Sequence, residues 1–335
     1  MKRKSILKRF GSQELAVCEQ VAEKPFIELQ GNNIMPLPKD FFCLRIDADE
    51  HNEELFDEFL SVFDNFKDAI TIFFNAHNFS SLKDKIIKCA NSGLDVQSHG
   101  YYHYTYNDYR SNRYNINKAK RFFEELGITT IGFAAPMGKW NESLMYALED
   151  EGYEYSSDFS YDYLGFPTYP NLGNRVSSIL EIPIFPVAPE LFFQNNNFNS
   201  RRILEFYENA IKEISSCGLP VIIYAHTSNY NEIPKLLNSI LEFAILKNKL
   251  TPINLTNFYN LWKKIHPQKI QMTSRADKIK IPNSDLLGET INLEINSFLK
   301  NYFKNLIDFE RITPLDEIQY GWFKKTINKV LRNFL

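Results

Sequence analysis

From Phe41 onward, short apolar runs alternate with longer segments in which apolar residues recur every three or four positions. That alternation predicts repeated βα units and a parallel sheet. Strands are expected at Phe41–Asp47, Ile70–Asn75, Leu94–Ser98, Thr130–Ala134, Tyr153–Ser157, Leu180–Ile184, Pro220–His226 and Pro252–Leu255. Between two of them, Ser81–Ala90 groups Leu82, Ile86, Ile87 and Ala90 on one helical face, with Gly93 as a stop. Asn141 and Ser200 stand where a side-chain oxygen would cap the first amides of the helices that follow. Strands at this spacing favour an α/β barrel over an open sheet, and the stretch from Asp158 to Arg175 reads as a long loop.

The pattern changes at both ends. Residues 1–40 read as a small N-terminal extension with a hairpin in AVCEQVAEKPFIELQGN, and residues 41–267 as the barrel. Residues 268–335 read as a C-terminal extension: a strand-like stretch, KIKIPNSDLLGETINLEI, then two helical segments. In the last of these, Trp322, Phe323, Ile327, Val330, Leu331, Phe334 and Leu335 share helical spacing with Lys324, Lys325, Lys329 and Arg332 between them. Such a helix either docks on its own barrel or lies in a membrane interface.

Composition narrows the functional classes. The 335 residues are 44% hydrophobic and 24% charged, as in ordinary globular proteins, and the 15% aromatic content suits ring-lined grooves for sugar faces. A net charge of -3 supplies no broad basic field, which argues against nucleic acid. Cys18, Cys43, Cys89 and Cys217 show no CxxC spacing, so neither a thiolate zinc site nor a disulfide framework is expected. Lys8 and Arg9 interrupt the apolar residues near the start before a secretory core forms, and a cytoplasmic location is expected. An interfacial tail helix would place the protein peripherally at the inner face of the membrane.

Chemistry concentrates at strand ends, where His51, His77, His99, His103 and His226 fall. In an extended strand Asp47 and Asp49 point to one side and Ala48 to the other, so two carboxylates face a common centre that needs a cation or a proton. His99 and His103 have the i, i+4 spacing of one face of a helical turn and can offer two imidazole nitrogens to one metal ion. Two histidines and a carboxylate leave coordination positions open, as in catalytic sites. His226 ends an apolar strand and titrates near working pH, as a general acid or base must.

In order, these groups resemble the NodB-type polysaccharide deacetylases of carbohydrate esterase family four, over about residues 40–262. The resemblance implies a distorted, roughly seven-stranded β/α barrel. Arg45-Ile46-Asp47-Ala48-Asp49 is similar to the D-x-D form of the first motif, found in a branch that includes lipid-linked aminosugar deformylases. It implies Asp47 as catalytic base and Asp49 as metal ligand. His99 and His103 fit the second motif, H-[ST]-x-x-H, with Gly100 replacing the hydroxyl residue. Pro136 and Gly138 fit the third, R-x-P-x-G, but Ala134 stands where the arginine that orients the base would be, and Arg45 or Lys139 is left to substitute. His226 fits the last motif and is implied as the general acid, with Asp158 or Asp162 expected to hold it protonated, because the fourth motif is not recognisable. Tyr102 and Trp140 are expected beside substrate, and one divalent ion, expected to be zinc, completes the site.

The resemblance implies hydrolysis of an N-acyl group on an amino sugar, in surface polysaccharide or lipopolysaccharide assembly, on a substrate that is a candidate for lipid linkage. The missing arginine and fourth motif motivate an alternative, a carbohydrate-binding or scaffold protein that has lost efficient chemistry. A non-sugar amide, as in allantoinase-like relatives, is a third reading.

Overall fold

The computed structural model describes residues 40–49, 53–158, 167, 169–172, 175–185, 188–196, 199–216, 220–227 and 230–265, with two short strands at 273–275 and 278–280. The first strand, β1 (Phe41–Ala48), is buried along almost its whole length. Burial on both faces calls for cover on both, and its sequence shows how this is met. Phe42, Leu44, Ile46 and Ala48 alternate with Cys43, Arg45 and Asp47, so one face is apolar and the other carries the polar groups.

Parallel partners follow in sequence: β2 (Ile70–Phe74), β3 (Asp95–Ser98), β4 (Gly132–Phe133), β5 (Tyr155–Ser156), β8 (Leu180–Glu181) and β9 (Val221–His226). The sheet runs β1-β2-β3-β4-β5-β8, and β9 pairs with β1, its His226 in register with Asp47. The Phe185 N–H donates to Ile222 O at 2.7 Å, which carries the chain after β8 across to β9. The curled sheet with helical crossovers is the distorted β/α barrel expected. Helices α1 (Glu53–Phe63), α2 (Lys83–Asn91), α3 (Tyr109–Glu125), α4 (Glu142–Asp150), α5 (Pro189–Asn196), α6 (Ser200–Ser216), α7 (Ile233–Leu241) and α8 (Leu255–Ile265) lie between and after the strands. Their buried residues Phe56, Phe59, Ile86, Phe123, Tyr207, Leu237 and Trp262 join one core with the strands. A smaller core joins Ile116 of α3 to Leu144 and Leu148 of α4 and to Phe133.

Several expected boundaries move. β10 is only Thr251–Pro252, and Leu255 opens α8 instead of ending a strand, because the Leu255 N–H donates to Thr71 Oγ1. Leu82 is the residue before α2 rather than part of it. Asn141 does cap α4, accepting from the Leu144 N–H at 2.8 Å. Before α6, however, Asn199 accepts from the Arg202 N–H at 3.0 Å, and Ser200 is already helical. The expected loop 158–175 contains β6 (Asn171–Leu172), which pairs antiparallel with β7 (Arg175–Val176). β11 (Thr273–Arg275) pairs antiparallel with β12 (Lys278–Lys280), and only β12 falls within the expected strand-like stretch. The N-terminal hairpin, the tail helix at 322–335, the domain boundary near 268, His51 and Asp162 lie outside the described residues.

The end of the barrel away from the histidines is closed by polar groups. Asp95 accepts hydrogen bonds from Thr71 Oγ1, Gln97 Nε2 and Thr256 Oγ1, tying α8 to β2 and β3. Burial raises its pKa, and those donors oppose the rise. Nearby, Gly132 allows two strands to approach: a Cβ there would lie 2.2 Å from Tyr155 Cζ. Gly132→Ala is therefore expected to cost about 1–3 kcal/mol, as other overpacked cores do. Thermal melting checks this, and an unchanged midpoint would mean that Tyr155 moves freely.

Candidate active site

Register places the functional groups at one end. Asp47 is in register with Phe73 of β2 and His226 of β9, and Phe74 with Ser98, so His99 follows directly after β3. β1, β3 and β9 thus deliver Asp47, Asp49, His99 and His226 to the carboxyl end of the barrel, where βα loops build sites.

Arg45 organises the centre. Its Nε donates to Asp47 Oδ1 at 2.7 Å, its Nη2 to Asp47 Oδ2, and its Nη1 reaches across the barrel to the Ser157 carbonyl. The guanidinium carbon lies 5.3 Å from the Phe73 ring centre and 5.8 Å from that of Tyr224. A cation so enclosed needs such a bidentate partner. Burial alone would raise the Asp47 pKa, but Arg45, helped by His99 and His226, holds it near 2. This depression stabilises the fold fully above the ordinary value of 3.8, and the contribution is lost as pH falls through about 2. Of the two residues left to substitute for the missing arginine, Arg45 is the one that contacts Asp47. Lys139 is exposed, its ammonium 5.5 Å from the Tyr104 ring centre.

The histidine pair does not sit on a helical turn. Residues 99–107 are non-helical, and Gly100, at φ 75°, bends the chain so that the two rings meet. Their Nε2 atoms are 3.1 Å apart, and Asp49 Oδ2 lies 3.2 Å from His103 Nε2. One ligand atom from each of Asp49, His99 and His103 falls within 4.8 Å of the others. His99 Nδ1 lies 2.9 Å from the Ala134 carbonyl. Donation to that oxygen fixes the tautomer and leaves the Nε2 lone pair turned to the cluster. Burial, only partly opposed by Asp47, lowers the His99 pKa to about 4, so the ring is neutral, as a ligand must be. Two imidazole lone pairs and a carboxylate converging at these distances fit a divalent cation. Side-chain exposures of 15% for Asp49 and 30% for His103 leave the cluster reachable from solvent.

His226 is held by a residue that sequence reasoning missed. Its Nδ1 and its backbone N–H both contact Glu190 Oε1, on the first turn of α5. Burial would lower the imidazole pKa, but Glu190, Asp49 and Asp47 outweigh it and raise it to about 10. Asp158 does not hold His226. Its Oδ1 accepts the Ala135 N–H, its Oδ2 accepts Ser156 Oγ at 2.7 Å, and burial raises its pKa to about 6 despite Ala135 and Arg45. The expectation failed because Asp158 follows β5 and is saturated on that side of the barrel, whereas Glu190 enters from the helix packed on β9.

The other expected residues scatter around the rim. Pro136 is buried and opens a short turn, Pro136–Gly138, whose Met137 is half exposed at φ 61°. Trp140 packs against the smaller core. The Tyr102 hydroxyl accepts from Lys118 Nζ at 2.7 Å, and its ring lies 5.5 Å from that of His77. Tyr104, which follows His103 in the chain, is half exposed, its ring 4.8 Å from that of Tyr106.

Comparison with known proteins gives the geometry a context. Residues 37–156 match the family described as Polysaccharide deacetylase. Solved structures share the fold. A chain named as a polysaccharide deacetylase from Mycobacterium smegmatis superposes at TM-score 0.57 with 16% identity, over 75% of this chain and 98% of its own length. One so named from Pseudomonas aeruginosa PAO1 gives 0.58 and 18%, over 71% and 97%. Puue allantoinase gives 0.57 and 19%, over 71% and 96%. No curated protein matches the sequence.

Proposed function

We propose that this chain, whose residues 37–156 match the polysaccharide deacetylase family, is a metal-dependent N-deacetylase of an amino sugar in surface polysaccharide or lipopolysaccharide biosynthesis. Family and fold support a hydrolase acting on amide C–N bonds. The observation that carries the fuller reading is the pairing of a braced carboxylate and a braced imidazole at the end of the barrel that holds one metal-ligand cluster. Asp47, gripped by Arg45, stands in register with His226, gripped by Glu190, at the strand ends from which Asp49, His99 and His103 converge.

Asp49, His99 and His103 would hold the ion, and zinc suits their donor set. A divalent ion bound there supplies polarisation of an acyl oxygen and a water of lowered pKa. Asp47, fixed by both arms of Arg45, takes the proton from the attacking water. His226, with Nδ1 occupied by Glu190, uses Nε2 to protonate the departing amine, which is otherwise too poor a leaving group. Tyr104 and Lys139 offer a ring and a cation at the rim for the sugar. The D-x-D form of the first motif favours a lipid-linked precursor as substrate. The contacts of Arg45 with Asp47 and of Glu190 with His226 support this reading over a binding-only protein, which the missing arginine and fourth motif had favoured.

The test pairs metal analysis with release of acetate from N-acetylated amino sugars. The wild type is expected to bind one zinc per chain and to release acetate. His99→Ala is expected to lose metal and activity together, because no other described group replaces its Nε2. Metal retained at full occupancy in His99→Ala, or release insensitive to it, would contradict the assignment.

A further inference from the structure

Three buried asparagines grip the backbone that carries the two histidines. Asn75, just after β2, donates from Nδ2 to the His99 and Gly100 carbonyls at 3.3 and 3.4 Å. Asn115, on the inner face of α3, accepts the Tyr102 N–H at 2.7 Å and donates to the Tyr102 and Tyr104 carbonyls, each at 3.0 Å. One turn earlier, Asn112 accepts the Tyr106 N–H and donates to the Tyr106 carbonyl, both at 2.8 Å. All three are at most 2% exposed.

Their cost indicates their use. Asparagine is a poor residue for a helix interior because its amide competes with the backbone, yet α3 carries Asn112 and Asn115 at i, i+3 on its buried side. Every polar atom of the Asn115 side chain is engaged, and both flanks of His103 are among its partners. The position of Gly100 complements this. A Cβ there would lie 3.2 Å from Asn115 Nδ2 and 3.3 Å from the Tyr102 carbonyl, and φ is 75°. A side chain at position 100 would therefore crowd the Asn115 amide and strain the backbone.

We propose that Asn115, supported by Asn75 and Asn112, is the positioning residue that pre-forms the His99–His103 pair. The clamp rests on the metal-centre reading above, and it acts on affinity by holding the second histidine in place before metal arrives. Partners of this kind are typically worth about 10–100-fold in metal affinity.

Zinc affinity, measured by competition with a chromophoric chelator on full-length protein, tests the clamp. Asn115→Ala is expected to weaken zinc about 10–100-fold. Asn115→Asp, which still accepts the Tyr102 N–H but sets a carboxylate against two carbonyls, is expected to do the same. Asn117→Ala, on the same helix but bonded to Glu151, is expected to bind as the wild type does. Affinity within twofold of wild type in both Asn115 variants overturns the clamp while leaving the metal centre intact. Absence of zinc binding in the wild type overturns both. Hydrogen exchange of the metal-free wild type needs no variant: the Tyr102 amide is expected to be protected, and exchange at the rate of an open loop contradicts a pre-formed clamp.

Discussion

Replacing Asp47 by asparagine is expected to lower kcat by about 10²–10⁴, the range for loss of a positioned acid or base, while zinc affinity stays within a few-fold of wild type. Asparagine keeps the size of the side chain and one acceptor oxygen for Arg45 but cannot take a proton from water. The proposed ligands, Asp49, His99 and His103, are untouched, so binding and turnover separate. Arg45 loses half of an enclosed ion pair, although Asp158 and the Ser157 carbonyl remain near it. Some loss of stability is therefore expected, and breaking such pairs elsewhere costs about 3–5 kcal/mol. Assays below the variant's melting transition keep the two effects apart. Turnover at the wild-type rate would remove Asp47 from the role of base.

The second large effect is expected from Glu190→Gln. In the wild type, Glu190 leads the neighbours that raise the His226 pKa from 6.5 to about 10 against the pull of burial. A raised cationic group gives stability and a donating proton that are fully present below pH 6.5 and lost as pH rises through about 10. With glutamine, burial works against the remaining help of Asp49 and Asp47, so the imidazole gives up its proton at lower pH. The basic limb of kcat/KM is expected to move down by more than about one pH unit, with activity falling about tenfold per pH unit above the new limb and unchanged well below it. Zinc affinity serves as the control, since Glu190 touches none of the proposed ligands. A basic limb at the wild-type position would show that another group donates the proton.

Both predictions join a residue the sequence revealed to one it concealed. That Asp47, Asp49, His99 and His226 share one end of the barrel was legible because each lies at or just beyond the end of a strand, and His103 because it follows His99 by four residues. Arg45 was legible only as one of two candidates. A cation inside an apolar strand reads as an anomaly until the strand across the barrel is known to offer Ser157 and the i+2 residue to offer a carboxylate. Glu190 was not legible, since Pro189-Glu190 reads as an ordinary helix start and its partner lies 36 residues away. Asn112 and Asn115 carry no signal in the sequence, and only packing shows that they face the loop after β3. The barrel itself followed from local periodicity, while β4, β5 and β8 shrank to two residues each because long-range pairing, not propensity, sets where those strands end.

The central claim is hydrolysis of an N-acyl amino sugar by a metal-loaded site. It is tested most directly by measuring free amine and acetate from a panel of soluble and lipid-linked N-acetyl amino sugars, with protein as purified, stripped by chelator and reloaded with zinc. Equal amounts of both products are expected from at least one substrate, lost on stripping and restored on reloading. Sugar binding without either product, by protein carrying one zinc per chain, would contradict it.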